Sequence, residues 1–351
     1  MRQKREIMAK KPVLMVLHPK QWAREEYREH TAFNIHHVSI GGAVPKKRSG
    51  VATFDGYAEV VTNEGLRSLY STANHIQPDF FLFWLHAGLY GEHLEEVRKA
   101  SPKVKMLFWF GNHRTNLSGG VTRISKYISA LFLNSNELTQ HKLYGDFGIK
   151  RIGTLWDGFD PSEVELLEDP PIYDCFFAGE SYLYAQQRNE VFRFPGTDLR
   201  REFIIAVSKR VNLACHAARK ESWPFPTLPE VYHPNHTAAM RKAKITLNVN
   251  HFPSFRQAYT RRTIRSIFAR RCHLTYYIPG MEEHFENHKH LVWFHTIDEG
   301  LELIDRYLKD DEAREKIAWE GWKLACEKFT FVERLKEFER TLRRFFPEVF
   351  K

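Results

Sequence analysis

The stretch from Ala243 to Phe285 reads AKITLNVNHFPSFRQAYTRRTIRSIFARRCHLTYYIPGMEEHF, and the fold prediction rests on it. Residues 244–249 form an alternating, β-branched run that predicts a buried strand. Residues 262–271 carry apolar side chains at helical spacing with arginines between them, and residues 272–277 predict the next strand. Together the three segments predict a βαβ unit, in which a right-handed crossover places the first loop at the carboxyl edge of a parallel sheet.

Arginines are concentrated in this loop and at the start of the helix that follows it, at positions 256, 261, 262 and 265. The carboxyl edge is where open α/β sheets bind ligands. A guanidinium group presents a planar fork of donors that matches phosphate oxygens. The predicted ligand is therefore an anion such as a phosphate, and a solvated basic helix surface is the alternative.

The whole chain has 351 residues, which is enough for two α/β domains. Its formal net charge of +9 favours an anionic partner, although a solubilising surface excess explains the charge equally well. The four cysteines form no CxxC pair, so reduced thiols in a cytoplasmic protein are expected. No apolar run approaches the ~20 residues of a membrane span, and no apolar core follows the basic start, so neither a transmembrane segment nor secretion is predicted.

The rest of the sequence repeats a β-α rhythm on both sides of an acidic, Pro- and Gly-rich run at 156–171. The predicted domains are therefore 1–160 and 171–330, with a basic helix in 331–351. Residues 43–56 are predicted to be a loop with a basic patch at 45–48. Buried strands are predicted in the first half at 12–17, 79–85 and 104–110, and in the second half at 174–178, 211–215, 245–249, 272–277 and 291–294.

The motifs in the second half resemble those of the CgeB-like (spore-maturation type) glycosyltransferases of the GT-B fold. That family shows a strand A-K-I-x-L-N, then R-x-F-E-x-x-A-x-G, then L-x-T. Here residues 243–248 match the strand, Arg262 stands at the arginine, and Leu274-Thr275 precedes an acidic turn at 279–285. The segments Gly158-Phe-Asp160-Pro161 and 173–179 (YDCFFAG) match the turn that closes the first domain and the strand that opens the second. Two positions depart, because Arg265 replaces the glutamate that usually grips the ribose and Arg270 replaces the glycine.

The resemblance implies an α/β protein with the GT-B fold, in which two Rossmann-like domains face each other across a cleft. Residues 1–160 would be the acceptor domain and residues 171–330 the nucleotide-sugar donor domain, and the helix in 331–351 would cross back to the first. The implied function is a glycosyltransferase that uses a nucleotide-sugar as donor substrate and no further cofactor. The acceptor stays open among a glycan, a protein, a small molecule and DNA.

The predicted donor-binding residues are Gly179, Arg188, Asn248, Tyr259, Thr260, Arg262, Arg265 and Glu283. Gly179 and Arg188 bracket a turn and a predicted helix start, where backbone N–H groups attract anions. Arg262 and Arg265 are three residues apart and share a helix face, so both are predicted to counter the charge of a leaving diphosphate. Glu283 is placed near the donor by the resemblance, and is explained equally well by stabilisation of a helix start through the helix dipole.

The predicted catalytic residues are Arg262, Arg265 and His113. His113 follows the strand at 104–110 and His86 follows the strand at 79–85, so both are candidates for a general base because imidazole titrates near neutral pH. Local hydrogen bonding is the alternative role for both histidines. No D-x-D pair follows a strand and no H-E-x-x-H pattern occurs, so no metal site and metal-independent transfer are predicted.

Two other functions remain open. The Arg265 and Arg270 departures suggest a degraded donor site, in which case the chain is a non-catalytic GT-B-like binding protein for a polyanion or a partner. The net charge and the basic loop at 45–48 suit a glycosyltransferase that acts on modified DNA bases, whose DNA affinity would fall with salt.

Overall fold

The computed structural model describes residues 11–17, 29–45, 57–84, 89–111, 117–163, 170–181, 185–187, 190–192, 194–219, 222–231 and 235–351. The chain folds into two compact units. The first comprises Met1–Leu133, Thr139–Leu155 and Phe331–Lys351, and the second comprises Asn134–Leu138 and Trp156–Thr330. Apart from the short segment Asn134–Leu138, the chain passes into the second unit at Trp156 and returns to the first at Phe331.

The first unit is built on a six-stranded parallel sheet of order β2-β1-β5-β6-β7-β8. Its central strands read as nearly continuous apolar runs because both faces of the sheet are covered. The strand bounds in this unit are β1 Val13–Val16, β2 Asn34–His37, β3 Gly41–Pro45, β4 Tyr57–Val61, β5 Phe80–Trp84, β6 Lys105–Phe110, β7 Ala130–Leu133 and β8 Ile152–Thr154.

Strands β3 and β4 form a separate antiparallel pair, in which Gly41 lies opposite Val61 and Pro45 lies opposite Tyr57. The loop predicted from residue 43 is therefore wrong for residues 43–45. Glycine and proline favour turns locally, but the ladder with β4 overrides that preference. The rest of the predicted loop, with Lys46, Lys47 and Arg48, lies outside the described residues.

Helices cover both faces of the first sheet. One face carries α1 Asn63–Ile76, α2 Gly91–Ala100, α3 Gly119–Ile124 and α4 Leu138–Asp146. The other face packs against the C-terminal helix, Phe331–Phe345, where the Phe338 ring lies 4.9 Å from that of Phe132. Each fully buried phenylalanine of this kind contributes roughly 1.5–3 kcal/mol. Short 3₁₀ helices span Pro161–Glu163, Met281–Glu283 and Pro347–Phe350.

The second unit contains the other six-stranded parallel sheet, of order β13-β12-β9-β14-β15-β16. Counted along the chain, these strands have the order 3-2-1-4-5-6 of dinucleotide-binding folds, which reverses direction between β9 and β14. The strand bounds are β9 Tyr173–Ala178, β10 Ala185–Gln187, β11 Glu190–Phe192, β12 Leu213–Ala217, β13 Leu228–Pro229, β14 Ala243–Asn248, β15 Cys272–Tyr276 and β16 Val292–Phe294.

Five helices complete the second unit: α5 Thr197–Ser208, α6 Asn235–Arg241, α7 Arg261–Phe268, α8 Ile297–Lys309 and α9 Asp311–Lys328. The adjacent parallel strands β14 and β15, joined by α7, confirm the predicted βαβ unit. The helix predicted around Arg188 is wrong, because Glu190–Phe192 is a strand paired antiparallel with Ala185–Gln187 and the next helix begins at Thr197. Cys175, Cys215 and Cys272 are buried free thiols, whereas Cys326 is only half-buried. Among the described residues, no helix has the length and apolarity needed to cross a bilayer.

Candidate functional site

Three of the predicted donor-binding residues meet where β9 and β14 end side by side. Gly179 follows β9, Asn248 ends β14, and Arg262 lies in the first turn of α7. Arg262 Nη1 donates a hydrogen bond of 2.9 Å to Asn248 Oδ1. Gly179 has a φ of +154°, and a Cβ atom at this position would lie 2.9 Å from Arg262 Nη2, so only glycine lets the guanidinium come this close. The contact lies between β9 and β14, where the order of the strands reverses, and sheets of this order bind ligands at that point.

A second guanidinium, that of Arg200 on α5, lies at the same place. Arg200 is 2% exposed, and its Nε donates to the Val249 carbonyl at 2.8 Å. Its Nη1 lies 2.6 Å from His251 Nε2. The guanidinium carbons of Arg200 and Arg262 lie 5.8 and 5.2 Å from the centroid of one ring, that of Phe177, within the range of cation–π attraction. The site therefore holds two arginines on one aromatic support.

Arg200 was not predicted as a site residue from the sequence, although the pattern of α5 indicates that this arginine is buried. The buried positions of this helix include Phe203, Ile204 and Val207, and Arg200 continues their stripe at helical spacing. An arginine within an apolar helical stripe is unusual because buried charges are rare unless they are paired. His251 and Phe177 were also missed as site residues, since neither has a sequence pattern that separates it from core packing.

Neither guanidinium has a carboxylate partner among the residues that the structure describes. Their hydrogen bonds go to Asn248, His251 and two backbone carbonyls, those of Val249 and Glu180. Burial lowers the pKa of Arg262 to about 10, and burial together with the charge of Arg262 lowers the pKa of Arg200. Because both carbons lie within 6 Å of one centroid, the two charges are at most about 12 Å apart, and their repulsion is roughly 1.4 kcal/mol or more at an effective dielectric near 20. An anion bound near both guanidiniums would attract each of them and so offset this repulsion.

His251 supports Arg200 as a neutral imidazole. Because a guanidinium only donates, Nε2 of His251 accepts from Arg200 and the ring proton resides on Nδ1, 3.3 Å from Thr197 Oγ1. Burial lowers the pKa of His251 to about 2, with further contributions from Arg200 and Arg262. The loop that carries His251 approaches α5 closely, since a Cβ atom on Gly196 would lie 2.2 Å from the Asn250 carbonyl oxygen. His251 thus orients Arg200 without adding charge at neutral pH.

A buried polar row behind Arg262 fixes the orientation of Asn248. The Asn248 Nδ2 group donates to Thr263 Oγ1 at 3.3 Å and lies 3.5 Å from Thr275 Oγ1, so its carbonyl oxygen is left for Arg262. Further along the same strands, Thr246 Oγ1 lies 3.0 Å from His273 Nδ1. Burial lowers the pKa of His273 to about 3. The row is fully buried, so it holds the site residues in place rather than facing a ligand.

The other predicted residues of this region make contacts within their own loop. The Tyr259 hydroxyl lies 2.9 Å from His284 Nδ1, and burial raises the pKa of Tyr259. Thr260 is the N-cap of α7, and its hydroxyl accepts from the Thr263 N–H. Glu283 is ion-paired with Arg256 and accepts a hydrogen bond from the Gln257 amide at 2.7 Å. The structure therefore does not bring Tyr259, Thr260 or Glu283 into contact with the two guanidiniums.

Of the remaining candidates, the structure describes only Arg265. Arg265 is 9% exposed, and its guanidinium carbon lies 5.2 Å from the centroid of the Phe159 ring. Arg188, His113 and His86 lie outside the described residues. In the described part of the chain, no group of three or more His, Cys, Asp or Glu side chains could hold a metal ion.

Comparisons with known proteins agree with this architecture. Residues 200–340 match the model of a family described as glycosyl transferase-like. Anabaena HepE, solved in complex with UDP-glucose, is 10% identical with a TM-score of 0.56, and the match covers 95% of this chain and 99% of that one. A glycosyltransferase from Rickettsia africae is 12% identical (TM-score 0.56; 95% and 98% covered). Sucrose-phosphate synthase from Thermosynechococcus elongatus is 8% identical (TM-score 0.57; 96% and 100% covered).

At these identities the likeness establishes the fold, which is GT-B with two Rossmann-like domains. The α/β prediction with this architecture is confirmed. No curated protein matches the chain by sequence.

Proposed function

We propose that the chain is a glycosyltransferase that takes its sugar from a nucleotide-sugar donor and binds the donor diphosphate between Arg200 and Arg262. The observation that carries this proposal is the pair of guanidiniums, which both contact the Phe177 ring where the strand order reverses. Neither has a carboxylate partner among the described residues. Buried charges require compensation. A diphosphate supplies compensating charge and enough acceptor oxygens for both forks.

The proposed chemistry uses the same two groups. In the transfer step, the bond between the anomeric carbon and the donor phosphate oxygen breaks, and the electron pair stays on that oxygen. A bond forms between the anomeric carbon and the acceptor oxygen, which loses its proton to a base. Fixed positive charge stabilises the leaving oxygen as its charge grows, which commonly contributes about 10²–10³ in rate per group. His113 stays the predicted base from the sequence.

The comparisons support this proposal without extending it. The glycosyl transferase-like segment begins at Arg200 and includes both guanidiniums. HepE, which shares the fold, was solved with UDP-glucose. The finer CgeB-like resemblance, the hexosyl type of the transferred sugar and the absence of a metal requirement are part of the proposal and rest on the motif matches and on the arginine pair.

The test is to add a panel of nucleoside diphosphates and nucleotide-sugars to the wild-type chain and to an Arg200→Met variant. We expect at least one nucleoside diphosphate to raise the melting temperature of the wild type but not of the variant, and the matching nucleotide-sugar to be hydrolysed or its sugar transferred, as detected by mass spectrometry. Methionine keeps the apolar stem volume and removes the charge. Arg210→Ala is the control, since Arg210 is ion-paired with Asp305 at the opposite, amino end of the sheet.

Two outcomes contradict the proposal. If no nucleoside diphosphate binds and the chain instead binds nucleic acid or another polyanion, the non-catalytic binding protein is the better function. If a nucleotide-sugar binds equally well to both proteins, the diphosphate does not lie between Arg200 and Arg262. Transfer to modified DNA bases is distinguished by an acceptor screen that includes DNA, in which binding must weaken as salt rises.

A further inference from the structure

Glu180 lies next to the Arg200 guanidinium, and its carboxylate has no role in the site described above. It is the second residue after β9, directly after Gly179. Its backbone carbonyl accepts a hydrogen bond from Arg200 Nη1 at 3.4 Å. Glu180 therefore contacts, through its backbone carbonyl, one of the two arginines that are proposed to bind the diphosphate.

The Glu180 carboxylate is held in one orientation by the neighbouring strand. Its Oε1 atom accepts from the Ala218 N–H at 2.7 Å and from the Arg219 N–H at 3.1 Å, the first residues after β12. The carboxylate thus spans the ends of β9 and β12 at the ligand-binding edge. The backbone below it is also fixed, because Trp223 Nε1 donates to the Gly179 carbonyl at 3.0 Å and the Gly179 N–H donates to the His216 carbonyl.

The second carboxylate oxygen, Oε2, is buried, and no described residue donates a hydrogen bond to it. An ionised carboxylate only accepts hydrogen bonds, so the missing partner is a donor. A buried acceptor without a partner costs about 1–3 kcal/mol, and more when it is charged. Since Oε1 is already satisfied by two N–H groups, Oε2 is the oxygen of Glu180 that lacks a donor among the described residues.

We infer that Glu180 Oε2 accepts hydrogen bonds from the ribose hydroxyls of the nucleotide, which makes Glu180 the residue that selects a ribonucleotide donor. This inference rests on the proposed function. The ribose of a nucleoside diphosphate is attached to the diphosphate and carries two hydroxyls, which are neutral hydrogen-bond donors. In dinucleotide-binding folds, an acidic residue at this edge of the sheet performs the same recognition.

The experiment measures calorimetric affinities of the wild type and of Glu180→Gln for three ligands. These are the tightest-binding ribonucleoside diphosphate, its 2′,3′-dideoxy counterpart and inorganic pyrophosphate. We expect the wild type to bind the ribonucleotide about 10- to 100-fold more tightly than the dideoxy form, because a hydrogen bond to a charged group is lost. In Glu180→Gln this ratio should fall below about threefold, while pyrophosphate affinity does not fall, because the substitution removes a negative charge near the anion. Glu202→Gln, an exposed glutamate on α5, is the matched control.

The outcomes separate this inference from the proposed function. If the wild type binds no nucleoside diphosphate, the proposed function fails. If it binds the ribonucleotide and the dideoxynucleotide equally, the function stands and the role of Glu180 is refuted without any variant. If the wild type discriminates and Glu180→Gln discriminates as strongly, another residue recognises the ribose.

Discussion

Replacing Arg262 with alanine separates a functional arginine from a structural one, because the two roles predict stability losses of different size. In the unliganded protein the variant leaves the buried Asn248 oxygen without its donor, at a cost of about 1–3 kcal/mol, and loses a cation–π contact with Phe177, worth about 0.5–2 kcal/mol. It also loses a repulsion with Arg200 of roughly 1.4 kcal/mol or more and the cost of burying a charge. These contributions nearly cancel, so the melting temperature should change by less than about 4 °C.

Ligand binding has no such cancellation. With a diphosphate bound, Arg262 makes charge-assisted hydrogen bonds that are worth about 1.5–3 kcal/mol, so Arg262→Ala should weaken nucleoside-diphosphate binding about 10- to 150-fold. Sugar transfer or donor hydrolysis should fall about 10²–10³-fold, since the group also stabilises the leaving oxygen. Arg262→Lys keeps the charge and loses the fork, so it should lie between the wild type and alanine.

The assays are calorimetric titration, thermal unfolding without ligand, and turnover of the nucleotide-sugar identified in the panel. Arg210→Ala removes the same charge from a surface ion pair and should leave affinity and turnover unchanged. The reasoning is refuted if Arg262→Ala lowers the melting temperature by more than about 10 °C while the folded fraction binds the diphosphate as tightly as the wild type. That result would show that Arg262 stabilises the fold and does not bind the diphosphate.

Three further predictions concern charge and protonation. Turnover should survive EDTA because two guanidiniums supply the positive charge; loss of activity that a divalent ion restores would contradict this. His273 has a pKa near 3 in the fold against 6.5 when unfolded, so its contribution to stability is lost as pH falls below 6.5, and chemical denaturation should show the wild type losing about 2 kcal/mol more than His273→Leu between pH 7 and pH 5. If Arg265 faces the diphosphate, affinity should fall in the order wild type, Arg265→Lys, Arg265→Glu, whereas equal or tighter binding by the glutamate variant would exclude that orientation.

The βαβ unit could be predicted because its information is local. The strands β14 and β15 are alternating or apolar runs, and α7 has its own N-cap in Thr260. Gly179, Asn248 and Arg262 were recognised together from motif matches, and the structure places them in contact. The short pairs β3–β4 and β10–β11 could not be predicted in this way, since strands of three to five residues owe their existence to a partner strand rather than to their own sequence.

The roles of residues that depend on neighbours distant in the chain could not be predicted from the sequence. Glu283 matched a family position near the donor, but its carboxylate is ion-paired with Arg256, 27 residues earlier. Arg270 was noticed only as a departure from glycine. Its φ of +54° explains why glycine suits the position, since the left-handed conformation costs other residues about 1–2 kcal/mol. The Arg270 guanidinium lies 4.7 Å from the centroid of the Trp319 ring, which offsets part of that cost.

These observations weaken the main argument for a degraded donor site. The arginine at position 270 occupies a helix end rather than the ligand-binding edge, so it removes nothing from the site. The arginine at position 265 removes a carboxylate, but Glu180 holds another at the ends of β9 and β12, with one oxygen buried and free of described partners. Under both proposals, the site keeps one acceptor for the ribose and two guanidiniums for the diphosphate. The departures from the family pattern then represent a rearranged donor site, and the ribose-selectivity experiment on Glu180 distinguishes rearrangement from loss.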